Sequence, residues 1–209
     1  MPEVSDTVIV IDDDPEVREA LGRLLRSVGI GTILYGSVSE FMKAGRPDGP
    51  TCMVLDVRLP GKSGLDFQRD LSDSGIHLPI IFITGHGDIP MSVQAIKNGA
   101  IEFLTKPFRD YNLLNAVQSG LEQDRIQRAK EKAVSQIRER FNSLTQRERE
   151  VMALVVTGRL NKTIADEIGV TEITVKVHRG NVMRKMAATS LADLVLMAQT
   201  LKTSDQIGH

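Results

Sequence analysis

The stretch Thr51-Cys52-Met53-Val54-Leu55-Asp56 decides the fold. Its apolar run, expected as a strand over Thr51–Leu55 with the acid just beyond, is what a strand covered on both faces in a parallel sheet shows. Similar runs lie on either side of it, at Thr7–Ile11, Gly31–Tyr35, Pro79–Thr84 and Ile101–Leu104. Between them the period changes from strand to helix. In Pro15–Ser27 the apolar residues Val17, Ala20, Leu21, Leu24 and Leu25 recur at spacings of three and four, and Asp14-Pro15 supplies an N-cap acid followed by proline at the first helical position. Further helices are expected at Ser37–Lys43, Gly64–Leu71 and Ile89–Asn98. Five β-α repeats make a doubly wound, open, parallel α/β sheet. Ligands of such sheets bind beyond the carboxyl ends of the strands.

At 209 residues the chain has room for two small domains. Its 41% hydrophobic and 25% charged residues are ordinary for a globular protein. No apolar run reaches the length of about 18 residues needed to span a membrane, and Met1–Asp6 lacks a basic signal-peptide start, so a cytoplasmic location is expected. A single cysteine, Cys52, excludes an internal disulfide and a multi-cysteine zinc site. It reads as a buried small hydrophobe. The net charge of -1 hides an asymmetry: residues 1–120 carry 11 Lys and Arg against 16 Asp and Glu, and residues 121–209 carry 15 against 11. An acidic part joined to a basic part suggests two tasks, the second involving a polyanion.

From Arg109 to Phe141 there is no proline and only one glycine, Gly120, which predicts the last helix of the first domain running into a helical linker. Leu114, Val117 and Leu121 form one apolar stripe on it, and Ala133, Ile137 and Phe141 another. The charged segment Glu122–Lys132 between them is expected to pack loosely. Beyond Phe141 only helices are predicted. Thr145-Gln146-Arg147-Glu148 is a capping box opening a helix that Gly158 closes. Asn161 is read as the cap of a helix closed by Gly169, Thr171 as the cap of one from Glu172 to about Met186, and Ser190 as the cap of one to about Leu201. Short helices about the turn Gly169-Val170-Thr171 have the layout of a helix-turn-helix. The expected domains are residues 1–120, a helical linker at 121–141, and residues 142–209.

Strand one ends in Asp12-Asp13-Asp14, strand three in Asp56, strand four in Thr84, and strand five just before Lys106. The fold brings these to one edge. Converging carboxylates repel unless a cation joins them, and oxygen donors without His or Cys suit Mg²⁺ or Mn²⁺. A carboxylate beside such a cation can attack phosphorus and form an acyl phosphate. Lys106 and Thr84 can then pair with the phosphoryl oxygens. Asp14 is accounted for as a helix cap, which leaves Asp12 and Asp13 for the metal. Gly61-Lys62-Ser63 is not the end of a P-loop, because the glycine which that motif needs five residues earlier is replaced by Asp56. His86 and His77 read as loop residues.

Ile11-Asp12-Asp13-Asp14, Val54-Leu55-Asp56-Val57-Arg58-Leu59-Pro60-Gly61, Phe82-Ile83-Thr84-Gly85-His86-Gly87 and Thr105-Lys106-Pro107-Phe108 together resemble the flavodoxin-like receiver domain of two-component response regulators. The whole chain is most similar to the FixJ/NarL branch. That resemblance implies metal binding by Asp12, Asp13, Asp56 and the backbone carbonyl of Arg58, phosphorylation on Asp56, a switch formed by Thr84 and the aromatic Phe103, a phosphate-pairing Lys106, and a cis peptide at Lys106-Pro107.

Leu144-Thr145-Gln146-Arg147-Glu148-Arg149-Glu150-Val151, Asn161-Lys162-Thr163-Ile164-Ala165 and Thr174-Val175-Lys176-Val177-His178-Arg179 resemble the LuxR-type four-helix DNA-binding domain. On a helical wheel Val175, Val182 and Met186 point to a core, and Ile173, Val177, Gly180 and Arg184 point away, flanked by Lys176 and Asn181. The second face is the expected reader of the major groove. Candidate DNA contacts are Lys162, Thr174, Lys176, Val177, Arg179, Gly180, Asn181 and Arg184. Val177 suits a thymine methyl, Lys176 a guanine edge or phosphate, and Lys162 and Arg179 phosphates. Gly180 stands where the resemblance allows a longer basic residue, and glycine there permits close approach of the helix. The last helix, with Leu191, Leu194, Val195 and Ala198, is implied in dimerisation.

The expected function is that of a response regulator. A sensor histidine kinase phosphorylates Asp56, and phosphorylation controls homodimerisation and binding to double-stranded DNA, with RNA polymerase a further candidate partner. No enzymatic turnover is expected beyond self-phosphotransfer and autodephosphorylation. The alternatives are a DNA-binding regulator whose first domain is a phosphorylation-independent interaction module, and a Mg²⁺-dependent phosphohydrolase. The second alternative commonly carries Asp-x-Asp, where this chain has Arg58.

Overall fold

The computed structural model describes residues 6–85 and 89–207, with side chains up to Ser204. His86 lies outside the described residues. Two compact units divide at Arg128 and Ala129.

The first unit is built on five parallel strands, β1 (Thr7–Ile11), β2 (Gly31–Tyr35), β3 (Thr51–Asp56), β4 (Ile80–Thr84) and β5 (Glu102–Thr105), in the order β2-β1-β3-β4-β5. Helices α1 (Pro15–Ser27), α2 (Val38–Ala44), α3 (Gly64–Asp73), α4 (Ile89–Lys97) and the start of α5 (Asp110–Asn142) connect and cover them. Alternate residues of each strand feed opposite cores. Val8, Val10, Cys52, Val54, Ile81 and Ile83 pack with Leu21 and Leu25 of α1 and Leu113 and Val117 of α5. Ile9, Ile11, Met53, Leu55 and Phe82 pack with Phe41 of α2, Phe67 and Leu71 of α3, and Ala95 of α4. Both sheet faces are dry, which is why the strands read as continuous apolar runs rather than alternating ones. Burial pushes the Cys52 thiol up to about 12, so it stays protonated as a small hydrophobe.

The register brings strand ends level. Ile11 pairs with Leu55, Asp56 with Ile83, and Thr84 with Thr105. Three strand bounds differ from expectation. β3 includes Asp56, held by pairing with β4. β4 starts after Pro79, whose carbonyl still accepts from Met53 N at 2.8 Å although the ring removes its own donor. β5, an edge strand, begins one residue late. Gly64 opens α3 beneath the site, and a Cβ there would lie 2.6 Å from the Asp56 carbonyl oxygen, so the close approach requires glycine.

The long helix differs from expectation in its middle. Its buried stripe is Leu113, Ala116, Val117, Gly120 and Leu121, with Leu114 only partly buried, and it continues to Asp124. The side chain of Asp124 is 1% exposed. It accepts from Thr51 N at 2.8 Å, Arg128 Nε at 2.9 Å, and Arg46 Nη2. Arg46 also donates to the His77 carbonyl at 3.1 Å, and Arg128 to the Pro47 carbonyl at 3.0 Å. The charged segment is therefore clamped to the base of the sheet as far as Arg128, rather than loosely packed. A helical wheel assigns a charge to solvent and cannot show a partner more than seventy residues away.

The second unit comprises the end of α5 with α6 (Gln146–Val155), α7 (Asn161–Ile168), α8 (Glu172–Met186) and α9 (Leu191–Ile207). Its core gathers Leu144, Val151, Val155, Ile164, Val175, Val182, Met186 and Leu194. Thr145 and Glu148 form the reciprocal capping box of α6. Thr171 caps α8 through Thr174 N at 3.2 Å, and Gly169 ends α7 in the left-handed conformation at φ 68°. Asn161 is not the cap of α7. It is the first helical residue, and Leu160 occupies the cap position without a side-chain bond. Helix α9 runs past Leu201 to Ile207, since no breaker intervenes, and Arg138 Nη2 bonds Ser204 Oγ at 2.6 Å.

Candidate functional site

The carboxyl ends of β1, β3 and β4 and the residues after β5 converge on a cluster of acids and one lysine. Asp12 is fully buried at the end of β1. One of its carboxylate oxygens accepts from Asp14 N at 2.9 Å and the other from Lys106 Nζ at 2.8 Å. Asp56 is buried at the end of β3. Its Oδ1 accepts from Arg58 N at 2.8 Å and its Oδ2 from Lys106 Nζ at 2.7 Å. Asp13 is exposed, and oxygens of Asp12, Asp13 and Asp56 lie within 4.8 Å of one another. Asp14 caps α1, accepting from Glu16 N at 2.8 Å and Val17 N at 3.3 Å.

Lys106 reaches this cluster because β5 ends one residue before it. Its amide donates to the Thr84 carbonyl at 2.7 Å, and a cis peptide to Pro107 follows. Thr84 is fully buried at the end of β4. Phe103 lies half-buried beside Phe82, with ring centroids 6.3 Å apart. Arg58 is exposed, and its amide is the group seen on Asp56. Sequence reading missed Arg18, whose Nη1 donates to the Asp12 carbonyl at 2.6 Å and fixes α1 to the site.

The electrostatics are strained toward a cation. Burial pushes the Asp12 carboxyl above its ordinary range, outweighing the Lys106 hydrogen bond and the Asp14 amide that lower it. Burial works against the Lys106 charge, but the hydrogen bonds to Asp12 and Asp56 outweigh it and hold the ammonium above its usual value. Asp12 and Asp56 thus share one ammonium, with Asp13 beside them. The donors are all oxygen, close enough to share one ion, and partly open at Asp13, a set that fits a hard divalent cation such as Mg²⁺ or Mn²⁺.

In the second unit, the predicted outward face of α8 is exposed. Ile173 is 77% exposed and Val177 58%. Lys176 and Arg184 are exposed on α8, as is Lys162 on α7. A Cβ at Gly180 would meet nothing within 4 Å. A mid-helix glycine costs about 1 kcal/mol relative to alanine. Four candidate contacts, Thr174, Arg179, Asn181 and Arg184, are engaged internally. Arg179 Nη1 donates to Asn161 Oδ1 at 3.2 Å, Thr174 Oγ1 lies 2.8 Å from Thr171 Oγ1, and Arg184 Nη2 donates to Asn181 Oδ1 at 3.4 Å. Arg179 therefore joins the start of α7 to α8. Two supports went unread in the sequence. Arg147 Nη2 holds the Ile168 carbonyl at 2.9 Å, next to the turn. Lys185 Nζ pairs with buried Glu148 at 2.6 Å. In α9, Leu194 is fully buried, while Leu196 is 62% exposed and Leu191 37%. Among the described residues no helix is long and apolar enough to cross a membrane.

Comparison with known proteins gives two family matches. Residues 8–118 match the response regulator receiver domain, and residues 142–198 match the bacterial regulatory proteins of the luxR family. Nodulation protein W of Bradyrhizobium diazoefficiens is 52% identical over 197 residues, covering 94% of this chain and 87% of its own. The transcriptional regulatory protein FixJ of Azorhizobium caulinodans is 46% identical over 198 residues, covering 95% and 93%. The solved structure of the response regulator StyR superposes with a TM-score of 0.84 at 46% identity, covering 93% of this chain and 98% of that one.

Proposed function

The chain belongs to the two-component response regulators that join a receiver to a LuxR-type DNA-binding domain, and on that premise we propose that phosphorylation of Asp56 by a sensor histidine kinase controls dimerisation and sequence-specific DNA binding. In this reading residues 1–120 are the receiver, 121–141 the linker helix and 142–209 the DNA-binding part, and the protein acts in the cytoplasm on transcription, with RNA polymerase a further partner. The observation that carries the reading is the single ammonium of Lys106 between Asp12 and Asp56.

A carboxylate oxygen of Asp56 attacks the phosphorus of a phosphohistidine. The O–P bond forms, and the N–P bond breaks with its electron pair going to the imidazole, which takes up a proton from water. Arg58 N, bonded to the other Asp56 oxygen, orients the nucleophile. Lys106 turns from the carboxylates to the phosphoryl oxygens, and the Thr84 hydroxyl is the second group available to them. Asp12, Asp13, Asp56 and the Arg58 carbonyl would hold Mg²⁺ or Mn²⁺. When bound, the ion offsets the crowded negative charge. The phosphoryl group brings about -1.5 to -2 in place of the carboxylate's single charge, and this change then biases a pre-existing equilibrium toward the dimer, with Thr84 and Phe103 as the moving parts. Lys162, Lys176, Val177 and Arg184 contact DNA, and Gly180 admits the groove. Thr174, Arg179 and Asn181 support that face through the bonds described above.

Acetyl phosphate with Mg²⁺ is expected to add one phosphoryl group to the wild-type chain, seen by intact mass, and none to Asp56→Asn. Equal labelling of both would remove the assignment.

A further inference from the structure

We propose that the second unit recognises thymine methyl groups through Ile173 together with Val177, and that Gly180 is kept to let the groove wall approach α8. The inference rests on the DNA-binding reading above and adds to it a base-contacting residue and the chemistry of the half-site.

A helix of a globular unit turns its apolar side inward and its polar side to water. Helix α8 does so with Val175, Val182 and Met186, all buried. It also carries Ile173 and Val177 outward, one turn apart and 77% and 58% exposed. Among the described residues, neither belongs to the unit's core. On the same face Gly180 has ordinary helical φ and open space where a Cβ would be. Neither backbone nor packing explains a glycine there, so its explanation lies in what the face meets.

The charges bordering this strip identify that surface. Lys176 and Arg184 on α8 and Lys162 on α7 are exposed cations. An apolar strip framed by cations fits the major groove, where phosphates flank the bases and the C5-methyl of thymine is the apolar group on a base edge. Ile173 is the second residue of α8, and the first residues of a recognition helix are those that reach base edges.

The test uses the full chain, treated with acetyl phosphate and Mg²⁺, to select duplexes from a randomised pool. The enriched duplex is then remade with deoxyuridine at single thymines, which deletes only the methyl group. Loss of one buried methyl is expected to weaken wild-type binding about fourfold at each of two thymines. Ile173→Ala is expected to abolish the penalty at one of them and Val177→Ala at the other. Both side chains are exposed, so thermal melting should confirm that the variants fold as the wild type does. Gly180→Ala should raise the melting temperature while weakening the same duplex, opposite signs that a purely structural glycine cannot give. Indifference to deoxyuridine at every thymine, an unchanged penalty in Ile173→Ala, or wild-type affinity in Gly180→Ala overturns the inference and leaves DNA binding intact. If no sequence is enriched, the DNA-binding reading fails and the inference fails with it.

Discussion

The ammonium of Lys106 lies 2.7 Å from a carboxylate oxygen of Asp56, a residue fifty positions earlier in the chain. The same nitrogen holds Asp12 at 2.8 Å. Removing it leaves Asp12 and Asp56 without the ammonium that bridges them. Lys106→Met is therefore expected to destabilise the first unit in metal-free buffer, by about 1–3 kcal/mol once the partial exposure of the lysine is discounted. Mg²⁺ should restore more stability to the variant than it adds to the wild type. Urea midpoints with and without Mg²⁺ measure this, and equal Mg²⁺ effects on the two proteins would contradict it.

Asp12 gives a pH dependence of unusual sign. Its folded-state value is raised, by burial above all, over the unfolded value of 3.8. A carboxyl raised in the folded state favours folding when protonated, and that contribution is lost as pH rises through the folded value. In metal-free buffer at neutral pH, Asp12→Asn should therefore be more stable than the wild type, with the difference closing as pH falls below 3.8. Urea midpoints across that range decide it, and a less stable variant at neutral pH would run against the electrostatic account.

Glu148 has the opposite sign. The Lys185 hydrogen bond, chiefly, and the Thr145 amide hold its carboxyl below its ordinary value of 4.5. Its contribution is present above 4.5 and is lost as pH falls through the lowered folded-state value. Hydrogen exchange of α6 and α8 amides in the full chain should accelerate on acidification through that window. In Glu148→Gln it should already be faster at neutral pH and change less. An unaltered acid profile in the variant would remove the pair from the unit's stability.

Asp124 joins Thr51 N, Arg46 and Arg128 at the base of the sheet. Asp124→Ala leaves a buried amide without its acceptor and two guanidinium groups without their carboxylate partner, and a cost of about 3–5 kcal/mol is expected. Exchange protection should fall first over residues 121–128 of α5. A loss under about 0.5 kcal/mol, the scale of an ordinary surface change, would show that the clamp is dispensable.

The parts of the fold legible in the sequence are those written as local pattern. β1, β2 and α1 fall where apolar runs and the Asp14-Pro15 start place them, because burial on both faces and a cap leave a mark within a few residues. The meeting of Asp12, Asp56 and Lys106 at one edge was legible for a different reason: the ends of parallel strands are brought together by topology alone. Asp124 was not legible, because its partners Arg46 and Thr51 come from a distant loop and strand start. Arg18 and Arg147 were missed because each bonds a backbone carbonyl, and a carbonyl carries no sequence signature. Asn161 was misread as a cap because cap propensity does not say whether the residue sits just outside the helix or just within it. Its side chain serves Arg179 instead.

The central claim is that phosphorylation of Asp56 governs DNA binding, and the most direct measurement is the affinity of the full chain for its selected duplex before and after acetyl phosphate and Mg²⁺ treatment, at fixed salt, in the wild type and in Asp56→Asn. The account predicts a tightening of about tenfold or more in the wild type, roughly 1.4 kcal/mol, and none in the variant. Equal affinity in all four samples, or equal tightening in both proteins, would contradict it.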